Sequence, residues 1–279
     1  MELPLSFRIY RRSLALASYL LPKYIGILSA KRFMTPTRHK QPAWEQAILI
    51  TGEEETLAGT IKSWRWGEGP LILLLHGWDG RGSQLGFFVA PLVKAGFQVI
   101  AIDGPAHGDS AGLRTHLGEF AQQLLAIQNE LGNFHAVIAH SFGCAATALA
   151  VDRGLVTEKL VLLASPCDLQ DVFDRFTHFM QLSPKSKRYF QSFIEHEAQL
   201  QVTDARMHEV VSRIKAPILV IHDKNDNEIP YSDALKLTKG LNHTEFLSTE
   251  GLGHRRILKS EQVANKIVNF LRAVDISLA

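Results

Sequence analysis

From residue 47 onward, short apolar runs alternate with longer segments whose apolar residues recur every three or four positions. The runs Ile48 to Thr51, Thr60 to Trp66, Leu71 to His76, Gln98 to Ile102, Ala136 to Ala139, Leu160 to Ala164, Ile218 to His222 and Glu245 to Leu247 read as strands. Near-continuous apolar strands are buried on both faces. Helical spacing falls at about 84–95, 115–131, 142–153, 232–240 and 258–273. This alternation predicts an α/β fold: a mostly parallel sheet of eight strands with helices on both faces. The first two runs share only a short Gly-containing link, which predicts an antiparallel start.

One interval breaks the rhythm. About fifty residues separate the runs near 160 and 218, too many for a plain crossover. Phe173, Phe176, Phe179 and Met180 recur at helical spacing, as do Tyr189, Phe190, Phe193 and Ile194, with Pro184 between the groups. We read residues 166–213 as a small helical cap inserted into the domain. In open α/β sheets ligands bind beyond the carboxyl ends of the strands, so such a cap roofs the site. Most of its aromatics are expected to glue the cap down. Phe176 and Phe179, with Trp78, are expected to line an apolar substrate pocket.

Residues 1–46 precede the alternation and form a separate arm, leaving 47–279 as the domain. Phe7, Tyr10, Leu14, Ala17 and Leu21 make a helical stripe, Arg8, Arg11 and Arg12 cluster on another face, and Pro22 ends the helix. The overall charge of +2 conceals an imbalance, because residues 1–40 carry +7 and the remainder −5. Three readings of the arm stand side by side: a helix packed on the body, a peripheral membrane contact through residues 1–40, and a secretory signal with a poor cleavage site at Leu28-Ser29-Ala30. No run reaches the roughly 20 apolar residues of a membrane-spanning helix. The basic excess lies in the arm rather than in a stripe across the domain, so nucleic acid is set aside as a partner. With 46% hydrophobic and 21% charged residues among 279, the chain suits one large globular domain plus the arm. Cys144 and Cys167 are too few for a disulfide framework, which points to a reducing, cytoplasmic setting. No metal-ligand spacing occurs, and Gly77, Gly80 and Gly82 do not open a dinucleotide fingerprint, so no metal or cofactor is expected.

Ser141, in Ala139-His140-Ser141-Phe142-Gly143, sits where an apolar strand meets a helix of small residues. A serine hydroxyl is a weak nucleophile that needs a base, a group to orient that base, and donors for the developing oxyanion. A tight turn there lifts the hydroxyl clear of the sheet, provided its flanking residues are small. Gly143 meets that requirement, and Ala139 adds one methyl to the usual glycine. Asp226 follows the run ending at His222, and His254 follows the run around Phe246. Asp223 and Asp168 compete with Asp226 for the role of acid. Upstream, Leu71 to Leu75 runs into His76-Gly77-Trp78, whose loop can offer a backbone N–H to an oxyanion beside that of Phe142.

These segments resemble the α/β-hydrolase superfamily. "LLLHGWDG", "IDGPAHGDS", "AHSFG", "HDKNDNEIP" and "GLGH" occur in its order over about residues 47–273, with Ala106 and Ala139 where glycine is usual. The resemblance implies the α/β-hydrolase fold, Ser141 as nucleophile, His254 as base, Asp226 as orienting acid, and Trp78 and Phe142 as oxyanion donors. It implies a serine hydrolase acting through an acyl-enzyme on a small or medium apolar ester, a small-molecule substrate. Acyl transfer, or cleavage of an amide or peptide, uses the same triad. A non-catalytic binding protein of this fold is the alternative from another class.

Overall fold

A computed structural model describes residues 4–273. Three helices come first: α1 (Leu5–Leu20), α2 (Pro22–Phe33) and α3 (Ala43–Leu49). Strands β1 (Glu53–Leu57), β2 (Ile61–Trp66) and β3 (Leu71–Leu75) follow, then α4 (Val89–Lys94), β4 (Gln98–Ile102), α5 (Leu117–Leu131), β5 (Phe134–His140), α6 (Phe142–Asp152) and β6 (Thr157–Leu163). Beyond them lie α7 (Leu169–Phe179), α8 (Pro184–Ala198), α9 (Met207–Arg213), β7 (Ile218–Asp223), α10 (Tyr231–Thr238), β8 (Thr244–Thr249), α11 (Gly253–Arg256) and α12 (Glu261–Arg272).

The eight strands form one sheet in the order β1-β2-β4-β3-β5-β6-β7-β8. β1–β2 and β2–β4 pair antiparallel, and every other pair is parallel. Alternate residues of each strand face opposite layers. Leu73, Leu75, Val137 and Leu162 pack under α5, α6 and α9, whereas Ile72, Leu74, Ile138 and Val161 pack against α4 and α12. A period of two inside an unbroken apolar run is what a doubly covered sheet requires.

One expectation at the amino end needs correction. Ile48 to Thr51 is not a strand. It is the end of α3 and the turn after it, with Ile48 and Leu49 packed on the α4 side of the sheet. So short an apolar run fits a helix turn as well as a strand. The first strand is Glu53–Leu57, of which only Leu57 is buried. An edge strand with one buried residue leaves no apolar pattern to read.

The amino-terminal helices lie on the cap. Gly26 of α2 crosses α8 so closely that a Cβ there would stand 2.5 Å from Ser186 O. Phe33, at the end of α2, has its ring centroid 5.5, 4.9 and 5.4 Å from Phe173, Phe176 and Phe190. Ser18 of α1 accepts from Ser183 N–H at 2.9 Å through its hydroxyl, and its carbonyl accepts from Ser183 Oγ at 2.7 Å. Pro22 ends α1 and also begins α2 at a position where the missing N–H costs nothing. Beyond α2, the Arg38 guanidinium holds the carbonyls of Ala106, Ser110 and Gly112 at 3.3, 2.7 and 3.0 Å.

Candidate active site

Four strand ends converge at the carboxyl edge of the sheet. β5 delivers Ser141, whose N–H donates to Leu163 O at 2.8 Å. Its backbone has φ 53° and ψ −121°, left-handed and strained for a residue with a side chain. The start of α6 passes the end of β3 so closely that a Cβ on Gly143 would lie 2.5 Å from His76 O. The facing turn is equally tight, since a Cβ on Gly77 would lie 2.8 Å from Ser141 Cβ. Ala139 is fully buried in the core beneath, so its extra methyl is accommodated without loss of the turn. Ala106 adopts φ 62°, the conformation that explains why glycine suits this position better.

His254 Nδ1 lies 2.7 Å from Asp226 Oδ2, both residues buried. The second carboxylate oxygen accepts from the N–H groups of Glu228 and Ile229 at 2.8 and 2.9 Å. Burial raises the affinity of Asp226 for a proton. The His254 hydrogen bond and these two amides outweigh it and hold the carboxyl below its ordinary range. With Asp226 charged and acceptor-only, Nδ1 of His254 carries the proton and Nε2 is free to accept one.

The competing acids are engaged elsewhere. Asp223 accepts from Thr249 Oγ1, Leu252 N–H and Asn225 N–H at 2.8, 3.0 and 2.9 Å. Asp168 caps α7, accepting from Gln170 N–H at 2.8 Å.

The upstream turn is set by His76. Its Nε2 accepts from Gly104 N–H at 2.8 Å, so the proton sits on Nδ1, which lies 2.6 Å from Gly77 O. Burial, joined by the neighbouring His107, keeps the ring neutral. Among the described residues the N–H groups of Trp78 and Phe142 have no hydrogen-bond acceptor. His140 is a contact that sequence reasoning missed. Its Nε2–H donates to His254 O at 2.9 Å, and the two rings stand 4.6 Å apart. Burial, then the adjacent His254, lowers His140 to about 3, so it remains a neutral donor that anchors the backbone of His254. No spacing rule links a residue beside the serine to a carbonyl 114 positions away.

Ser141, His254, Trp78 and Gly77 line a cavity of about 380 Å³. Among the described residues Ser141 Oγ makes no hydrogen bond, while His254 Nε2 stands 3.9 Å from Glu228 Oε2. Catalytic hydrogen bonds in enzymes commonly tighten only in the substrate complex. The other walls include Glu228, Arg255 and Lys259, with His39, Trp44 and Glu45 from the amino-terminal segment. These last three lie within the arm or at its junction with the domain, where no pattern pointed to the site.

A second, apolar slot adjoins on the far side of Trp78, between Phe142, Phe33, Met34, Leu169 and Phe173. Trp78 and Phe142 bound this slot, but Phe176 and Phe179 line neither space. Phe176 is packed between Phe33 and Phe190, and Phe179 stacks 5.8 Å from Phe7 with its outer side exposed. The helical spacing of these rings reflected a face meeting α1 and α2, away from both of these spaces.

The fold and the sequence agree on ancestry. The profile of the alpha/beta hydrolase family matches residues 72–266, and the chain belongs to that family. The AB hydrolase superfamily protein YisY of Bacillus subtilis (strain 168) is 22% identical over 244 residues, 72% of this chain and 91% of that protein. The pimeloyl-[acyl-carrier protein] methyl ester esterase of Vibrio atlanticus (strain LGP32) is 24% identical over 249 residues, 73% of this chain and 95% of the relative. Among solved structures, a bacterial membrane phospholipase A superposes with a TM-score of 0.61 at 17% identity, over 97% of this chain and 99% of that one. That superposition takes in most of the amino-terminal helices as well as the sheet. At this identity it establishes a shared fold.

Proposed function

We propose that this hydrolase-family protein cleaves carboxylic esters through an acyl-enzyme on Ser141. The observation that carries the proposal is the pairing of a strained, cavity-facing Ser141 with a His254 oriented by Asp226 at 2.7 Å. Ser141 Oγ attacks the ester carbonyl carbon while His254 Nε2 takes its proton. The carbonyl oxygen becomes an oxyanion between the N–H groups of Trp78 and Phe142. As the tetrahedral intermediate collapses, His254 returns the proton to the leaving alcohol. A water then loses a proton to His254 and attacks the acyl carbon, and as this second tetrahedral intermediate collapses His254 returns the proton to the departing Ser141 Oγ and the carboxylic acid is released. The ion pair with Asp226 stabilises the imidazolium in both steps.

The shape of the site supports a small acyl group. The narrow slot between Trp78, Phe142 and Phe33 accepts the apolar end, and the polar mouth near Glu228, Arg255 and Lys259 accepts the alcohol portion. The methyl ester named for the Vibrio relative is consistent with a short group at one side of the ester.

Labelling with a fluorophosphonate tests the nucleophile directly. We expect the wild type to label stoichiometrically and Ser141→Ala not at all, with ester hydrolysis falling by about 10⁴-fold or more. Equal labelling of the two proteins, or no labelling of the wild type, overturns the assignment.

A further inference from the structure

α1 is apolar on two sides. Its inner stripe is spent on the cap: Leu14 is buried in a cluster with Ile25 and Met180, and Phe7 packs against it. Its outer side carries Leu5, Ile9, Leu16 and Leu20, which are 69, 57, 71 and 81% exposed. Their spacing puts them along one line of the helix. Tyr19 falls on the same side of α1, and Tyr24 and Leu28 of α2 are exposed as well. A surface helix elsewhere in this protein has the ordinary pattern. α12 buries Val263, Ile267 and Phe270 and turns Glu261, Gln262, Asn265 and Asn269 outward.

The charges on α1 and α2 themselves have one sign, and Asp174 of the cap, which lies near Tyr19, is paired with Lys187 at 2.7 Å. No Asp or Glu occurs between Pro4 and Trp44, a stretch with eight Lys and Arg. Arg8 and Arg12 fall on the outer side of α1 among the leucines. With Lys23 they are exposed and make no ion pair among the described residues. Leucines to enter hydrocarbon, tyrosines for the boundary and arginines for phosphate are the arrangement of a helix lying in a bilayer interface. No helix among the described residues is long and apolar enough to cross a membrane. A second copy is a poor occupant, because a two-fold contact would set these arginines near their equivalents with no carboxylate to offset them.

We propose that the outer face of α1, together with Tyr24 and Leu28 of α2, docks the protein in the plane of an anionic phospholipid surface. This proposal stands independently of the triad. Vesicle flotation of the full chain tests it, using phosphatidylcholine with and without phosphatidylglycerol. Two double variants serve as probes: Leu16→Asp with Leu20→Asp, and Arg8→Glu with Arg12→Glu. Truncation is unsuitable, since it also removes Phe33 and Met34 from the cap.

We expect the wild type to float with phosphatidylglycerol vesicles and far less with phosphatidylcholine alone. Each double variant is expected to lose roughly tenfold or more in partitioning. Melting temperature should stay unchanged, which shows that the variants are folded. Failure of the wild type to float, or equal flotation of wild type and the leucine variant, overturns the proposal. Equal partitioning onto both lipid compositions overturns the role of the arginines. A wild-type dimer in sedimentation that the leucine variant converts to monomer assigns the face to a second copy and overturns the lipid assignment.

Discussion

Ser141 and Asp226 stand on turns just beyond β5 and β7 and His254 stands in α11 after β8, whereas Phe33, His39 and Trp44 reach the same region from the amino-terminal segment. The first group is held by backbone. Ser141 N–H is tied to Leu163 O at 2.8 Å, Asp226 receives two amides, and His254 O receives His140. The second group is held by side-chain packing, with Phe33 wedged among Phe173, Phe176 and Phe190. Backbone hydrogen bonds at strand ends fix positions to a fraction of an ångström, as catalysis demands. Aromatic packing fixes shape but can be redrawn by substitution. On the proposed mechanism, chemistry belongs to the floor of the cavity and selection of substrate to its roof.

Separate damage to the two parts should have separable consequences. Asp226→Asn is expected to lower kcat by about 10³–10⁴-fold, because the amide misorients His254 and no longer stabilises its charged form. The carboxyl of Asp226 is held below its ordinary range, so its stabilising contribution is present above about pH 3.9 and is lost as pH falls below that value. The variant should accordingly lose less stability than the wild type on acidification toward pH 3, read by thermal unfolding. A kcat within tenfold of wild type would remove Asp226 from the mechanism.

In the roof, Phe190 is fully buried, and Phe190→Ala should cost about 3–5 kcal/mol in urea unfolding. Below its melting temperature it should still label with fluorophosphonate, and its preference among acyl lengths should broaden. Labelling slowed as much as by Asp226→Asn would mean that roof and floor are not separable. The smallest effect is expected at the join between them. Ala106 is left-handed under the Arg38 clamp, so Ala106→Gly should relieve strain and leave kcat unchanged, with a gain of about 1 kcal/mol or less after the added chain entropy. A loss of stability there would show that the methyl packs better than the backbone strain suggests.

How much was legible follows the same division. β3, β5, β6 and β7 were readable because strands covered on both faces must be apolar throughout. β1 was not, because an exposed edge strand needs no such pattern, and the run read as its counterpart is the end of α3. Asp226, Asp223 and Asp168 were equivalent as letters near strand ends. The turn from Asp223 to Ile229 separates the first two, directing one carboxylate to His254 and the other to Thr249 and the loop amides. Phe176 and Phe179 had the spacing of a buried face without any indication of what would bury it.

The sequence by itself determined the alternation of strand and helix, the order of Ser141, Asp226 and His254 along the chain, and the small residues that let their turns form. Each is a local property: a period of two or of 3.6, a glycine where a Cβ would collide, an acid just beyond a strand. Only the tertiary structure decided that α1 and α2 cover the cap, that His39 and Trp44 reach the cavity, that His140 anchors His254, and that α1 keeps a second apolar face after its first is buried. Those facts depend on contacts between segments more than 100 residues apart, such as Ser18 with Ser183 and His140 with His254. A one-dimensional pattern states that a residue needs a partner, and only the packed chain supplies which one.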